Sequence, residues 1–84
     1  MKKVIRFTAS WCGPCKVYAT TFKDVQEQIN NVEFETVDVD TENNLIAEHG
    51  VRNVPTTVLI KEDGSVKKQS GRMSEKQLID FINS

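Results

Sequence analysis

The only two cysteines of the chain stand two residues apart in ASWCGPCK, residues 9–16. Trp11 precedes the pair, Gly13 and Pro14 separate it, and Lys16 follows. Thiols placed this closely serve as metal ligands, as a structural cross-link, or as a couple that cycles between dithiol and disulfide. A structural zinc site takes about four Cys or His ligands. Cys12, Cys15 and the one histidine, His49, supply three, and His49 lies in a different element, beside Gly50. A solvated histidine at a helix C-terminus, favoured there by the helix dipole, accounts for it, so no metal site is expected. A Cys12–Cys15 staple closes a very short loop and constrains the unfolded chain only weakly.

The redox use has a positive argument. The pair sits where an apolar, β-branched run ends and a helical pattern begins. A helix N-terminus presents N–H groups without intrahelical partners and a partial positive charge, both of which stabilise a thiolate at the first cysteine. An ordinary thiol titrates near ~8.5 and is only a few per cent ionised at neutral pH, so any such lowering raises the nucleophilic fraction. Two intervening residues put the second sulfur one helical turn away, within reach of a mixed disulfide formed at the first. Pro14 suits the first turn, where a missing N–H costs nothing.

The elements that must hold this pair can be read from periodicity. KKVIRFT (2–8) reads as a strand. Tyr18, Phe22, Val25 and Ile29 then recur on one helix face. VEFETVDV (32–39) is a second strand in which the alternation breaks phase between Phe34 and Val37. TENNLIAEHG (41–50) is a helix that Thr41 can cap and Gly50 can end in a left-handed conformation. PTTVLIKEDGSVKKQSG (55–71) is a hairpin about Asp63-Gly64. SEKQLIDFINS opens with Ser74 and Gln77 at capping-box spacing, and its buried side is Leu78, Ile79, Phe81 and Ile82. The order is β-α-β-α-β-β-α. The first two strands, joined through a helix, should be parallel with a right-handed crossover, and the last two antiparallel.

With 84 residues there is chain for one domain, 1–84, and one modest core. Hydrophobic residues at 38% and charged residues at 27% fit a soluble globular protein. A net charge of −1, with both signs spread along the sequence, gives no footprint for nucleic acid or a membrane surface. No apolar run approaches the ~20 residues that span a bilayer. Lys2 and Lys3 resemble the start of a signal peptide, but only Val4 and Ile5 precede Arg6, so no apolar core follows. A cytoplasmic location is therefore expected, unless a leader has already been removed. In that compartment close thiol pairs bind metal or do redox work more often than they staple.

WCGPCK between a strand and a helix resembles the active site of the thioredoxin family. VDVDTENNLIAEHGVRNVPTTVLI is similar to the family's segment leading to its cis-proline, and DGSVKKQSGRMSEKQLIDFI to its final hairpin and helix. The resemblance covers nearly the whole chain and implies a minimal thioredoxin fold, an α/β four-stranded mixed sheet with helices on both faces. The family's additional N-terminal strand and helix have no counterpart here, which brings the size close to that of glutaredoxins. By this resemblance Cys12 is the attacking thiolate and Cys15 the resolving thiol. Pro55 is cis and packs on the cysteines. The backbone of Val54 pairs with an extended substrate, and Trp11, Gly13 and Pro14 flank the substrate groove. On the residues alone, a proline opening a strand needs no cis bond.

Two positions depart from the family. The buried aspartate it carries six residues before the first cysteine is here Arg6, and the lysine near that aspartate is Thr36. Arginine stays protonated and cannot serve as a base. It can instead stabilise thiolates and make the protein a stronger oxidant. An unpaired buried guanidinium is costly, so Arg6 is expected either to reach solvent or to meet a carboxylate, with Asp38 as the candidate partner. The second departure is Thr20, where the family's helix has a kinking proline; the helix should run straighter here. Lys16, Arg52 and Arg72 either ring the site or are ordinary solvated charges.

The resemblance implies a thiol–disulfide oxidoreductase that reduces disulfide-containing proteins. It binds no cofactor itself, receives reducing equivalents from NADPH through a thioredoxin reductase, and is expected to be a monomer. Two alternatives stand beside it. One is a glutaredoxin-like protein reduced by glutathione, favoured by the small size and opposed by Gly13-Pro14. The other is a thioredoxin-fold binding module in which the cysteines are incidental.

Overall fold

A computed structural model describes residues 1–41 and 43–84. The elements run β1 (Lys2–Thr8), α1 (Gly13–Gln28), β2 (Val32–Asp38), α2 (Asn43–His49), β3 (Thr56–Ile60), β4 (Val66–Ser70) and α3 (Glu75–Asn83). The strands form one mixed sheet in the order β2-β1-β3-β4. β1 is parallel to β2, and β3 is antiparallel to both β1 and β4.

Alternation along the strands gives the sheet two apolar faces. Val4 of β1 and Leu59 of β3 point to one face, where Tyr18, Phe22 and Val25 of α1 meet Leu78 and Ile82 of α3. Ile5, Phe7, Val37 and Val58 point to the other, beneath Ile46 of α2 and Val51. Leu59, Leu78 and Ile82 are fully buried, and each contributes roughly 1.5–3 kcal/mol through removal of apolar surface from water. The break in phase of β2 is a change of buried face. Phe34 packs towards α1 and α3 and Val37 towards α2, while the pairing with β1 continues without interruption from Lys2↔Val32 to Thr8↔Asp38.

Helix α1 runs unbroken through Thr20. It turns back into β2 through Asn31, whose φ of 65° is one that asparagine tolerates better than most residues. Gly50 (φ 64°) follows α2, as expected. Thr41 donates its hydroxyl to the Asp38 carbonyl; residue 42, between it and α2, lies outside the described residues. Ser74 and Gln77 form the capping box on α3. β4, exposed along its length, carries Lys67 and Lys68, charges of the kind that keep an edge strand from pairing further.

Candidate active site

The chain leaves the sheet at Thr8 and enters α1 through a tight turn in which the Cys12 amide donates to the Ala9 carbonyl at 3.2 Å. Cys12 is the N-cap of α1. Its backbone is extended (φ −96°, ψ 110°) and its sulfur accepts from the Cys15 amide at 3.2 Å. Caps usually use oxygen for this bond; here sulfur takes it, so the reactive atom lies against a helix N–H. Cys12 and Cys15 are joined as a disulfide with Cα atoms 5.3 Å apart. Both are buried, Cys15 (1% exposed) more deeply than Cys12 (6%), on a small cluster with Ala9, Val39 and Val54.

Trp11, 68% exposed, stands clear of the core beside the pair, and Gly13, Pro14 and Lys16 are exposed on the first turn. The facing wall is the loop before β3. Its Val54–Pro55 bond is cis. Pro55 is buried and its carbonyl accepts from the Gly71 amide at 2.8 Å, which fastens the loop to the end of the hairpin. The Val54 carbonyl lies 3.9 Å from the Cys12 sulfur. A disulfide sulfur has no proton, so this is a contact that becomes an S–H donor pair only in the thiol. Beside it an open groove of about 250 Å³ is lined by Trp11, Val39, Ile46, Val51 and Val54, with Arg52 and Asn53.

Sequence reasoning found Trp11 and Val54 but not Val39, Ile46 and Val51, which α2 and its flanks bring over from the opposite face of the sheet. Their only signal was apolar character in and on either side of a short helix. Among the described residues Lys16 has no ion-pair partner, and His49 sets its ring edge-on to Phe7 with centroids 5.9 Å apart. Among the described residues no three His, Cys, Asp or Glu side chains converge as metal ligands.

The expected pairing of Arg6 with Asp38 does not form. Strand register sets Arg6 opposite Thr36 and Thr57, two residues short of Asp38, and Asp38 Oδ1 accepts instead from the Asp40 amide at 2.8 Å. Nor does Arg6 escape to water: it is 9% exposed. Its Nη2 donates to Thr36 Oγ1 at 3.2 Å and its guanidinium lies 5.5 Å from the centre of the Phe22 ring. Burial pulls its pKa below the ordinary arginine value, with the neighbouring Tyr18 opposing. Tyr18, read from sequence as an apolar core residue, also shares a 2.6 Å hydrogen bond with Thr57, and burial raises its pKa.

A family model described as Thioredoxin matches residues 1–84. The chain belongs to the thioredoxin family. It is 31% identical over 81 residues to the thioredoxin of Mycoplasmoides gallisepticum, spanning 96% of this chain and 81% of that one. With the thioredoxin of Oryctolagus cuniculus the identity is 41% over 73 residues, 87% of this chain and 70% of the other. The X-ray structure of Fasciola hepatica thioredoxin superposes with a TM-score of 0.88 at 36% identity, covering 98% of this chain and 78% of that one.

Family, fold and geometry together make the protein a thioredoxin-type thiol–disulfide oxidoreductase working through the Cys12–Cys15 couple. In the dithiol form the cap bond that now reaches the Cys12 sulfur favours thiolate over thiol, because a hydrogen bond to the charged form stabilises it. In the disulfide form the same bond holds the Cys12 sulfur against the first turn, at the helix start.

Proposed function

We propose that the protein reduces disulfides in other proteins and is itself reduced by a thioredoxin reductase drawing on NADPH. Cys12 attacks one sulfur of the substrate disulfide, and the other leaves as a thiol. Cys15 then attacks the Cys12 sulfur of the mixed disulfide, releases the second substrate thiol and closes the Cys12–Cys15 bond. Two electrons pass to the substrate, and the reductase returns two from NADPH. The observation that carries this reading is the open apolar groove between Trp11 and Val54, adjoining the Cys12 sulfur. It offers an extended polypeptide both apolar contact and backbone groups. Cycling of this kind belongs in the cytoplasm, where thiols are kept reduced, and the protein acts there as a monomer. Among the described residues no helix is long and apolar enough to cross a membrane.

The test is NADPH-driven reduction of a protein disulfide such as insulin, with thioredoxin reductase in one assay and glutathione plus glutathione reductase in the other. Turnover with thioredoxin reductase, lost in Cys12→Ser, is expected. Turnover only with glutathione would assign the protein to glutaredoxin-like chemistry. Silence in both, with partner capture surviving Cys12→Ser and lost in Trp11→Ala, would make it a binding module.

A further inference from the structure

Among the described residues Arg6 is the one charged side chain buried in the body of the molecule, and its position relative to α1 gives it a use. Its Nε is buried without an acceptor, and no carboxylate among the described residues lies within ion-pair distance. The groups that face it are neutral at pH 7: Tyr18 and Phe22 from α1, Thr36 from β2 and Thr57 from β3. Replacing a buried charge by an apolar side chain of similar size is commonly neutral or stabilising, so the fold itself does not call for this one.

Cys15, Tyr18 and Phe22 are successive buried positions on the same face of α1. Phe22, which the guanidinium covers, is seven residues beyond Cys15 and ten beyond Cys12, or about 10 and about 15 Å along the helix axis. The path runs between helix and sheet, where solvent screens poorly. The oxidised pair is neutral and the reduced pair carries a thiolate, so a fixed cation at that distance lowers the free energy of the reduced form alone. We propose that Arg6 is the counter-charge of the Cys12–Cys15 dithiol and biases the couple towards its reduced form, making the protein a weaker reductant and a stronger oxidant. This rests on the thiol–disulfide reading above. A unit charge about 10–15 Å away at an effective dielectric constant of ~20 biases an equilibrium roughly six- to fifteenfold. Thr36 is exposed at the sheet edge, so the outer end of the guanidinium is partly screened and the bias is about three- to tenfold.

The experiment equilibrates the protein with glutathione and glutathione disulfide. Two electrons leave the cysteine pair as the Cys12–Cys15 bond forms, the glutathione S–S bond breaks, and the protons leave on two glutathione thiols. The dithiol fraction is read by alkylation and mass, and the Cys12 thiolate by its ultraviolet absorbance against pH. Arg6→Met is expected to move the equilibrium about three- to tenfold towards disulfide, tenfold being about 30 mV for two electrons, and to make Cys12 titrate at higher pH. Arg6→Lys keeps both close to wild type. Thr36→Asp sets a carboxylate against Nη2 and moves both in the same direction as Arg6→Met, which provides a second route should the methionine variant not fold. Folded Arg6→Met or Thr36→Asp proteins whose equilibrium stays within about twofold of wild type would overturn the assignment. A wild-type chain that forms no reversible disulfide in these buffers would sink the oxidoreductase reading and Arg6's role with it; normal cycling with an unmoved equilibrium sinks Arg6's role alone.

Discussion

Helices α1 and α3 begin with the same problem, backbone N–H groups that no preceding carbonyl can satisfy, and answer it with different atoms. At α3 two oxygens do the work: the Ser74 hydroxyl accepts from the Gln77 amide at 3.2 Å, and the Gln77 side chain accepts from the Ser74 amide at 2.9 Å. Both oxygens stay as they are over the neutral pH range. At α1 the acceptor is the Cys12 sulfur, which exists as thiol, thiolate or disulfide. One terminus is built to hold a helix, while the other makes the strength of its cap depend on redox state. The helix that carries the chemistry thus begins on its own reacting atom.

Exchanging sulfur for oxygen at α1 should separate the two uses. Cys12→Ser restores a favoured capping residue, so the variant is expected to melt close to the reduced wild type. Its disulfide reductase rate should fall to below roughly a thousandth, the scale expected when a nucleophile is removed. Comparison of thermal melts with insulin-reduction rates checks both halves. A large loss of stability alongside the loss of rate would mean that sulfur is needed for the fold as well. Cys15→Ser keeps the sulfur cap and removes the resolving thiol. It should attack a substrate disulfide once and stop, so a stable mixed disulfide at Cys12 accumulates on a non-reducing gel or in the intact mass. Release of substrate at the wild-type rate would mean that another group resolves the intermediate.

At α3 the expectation reverses. Ser74→Ala removes an oxygen cap at about 1 kcal/mol, which lowers the melting temperature of a domain this size by about 4–8 °C. The rate of disulfide reduction at 25 °C should not change. A variant that loses activity in proportion to stability would join α3 to the site, contrary to a division of labour between the two helices.

The local signals for these two caps were plain in the sequence, and the global ones were not. Ser74 with Gln77 and Cys12 with Pro14 each announce a helix start within four residues, because capping is decided by immediate neighbours. The apolar period of α1 and the Asp63-Gly64 turn were legible for the same reason. Arg6 was not. Its environment depends on register across β1, β2 and β3, which sets it against Thr36 and Thr57 and leaves Asp38 to the Asp40 amide. The groove had the same obscurity: Val39, Ile46 and Val51 reach Trp11 only after α2 has packed over its own face of the sheet. The phase break in β2 was visible, but its meaning was not: one strand serves two cores while its pairing with β1 continues.

A side-chain acceptor in a turn tests the electrostatics on a smaller scale. Asp63 Oδ1 accepts from the Ser65 amide at 2.9 Å and the Ser65 hydroxyl at 2.7 Å in the β3–β4 turn. Those donations, the hydroxyl first and the amide second, hold its pKa below the usual 3.8. Donation to a negative atom acts here as it does on the Cys12 thiolate, but on a group that titrates without being oxidised. Because the folded pKa is depressed, the stability it contributes is fully present above the unfolded value and is lost as pH falls through the folded one. Asp63→Asn keeps an oxygen acceptor and removes the titration. Urea midpoints measured below about pH 4 should therefore fall less steeply in the variant than in wild type, with the two parallel at neutral pH. Asp63 is fully exposed, so the difference should be the smallest of those described. Identical slopes would mean that amide and hydroxyl donation at this turn do not distinguish carboxylate from acid. The inference that one backbone amide favours the Cys12 thiolate would then have to stand on the burial of that sulfur, where the same donation faces less competition from water.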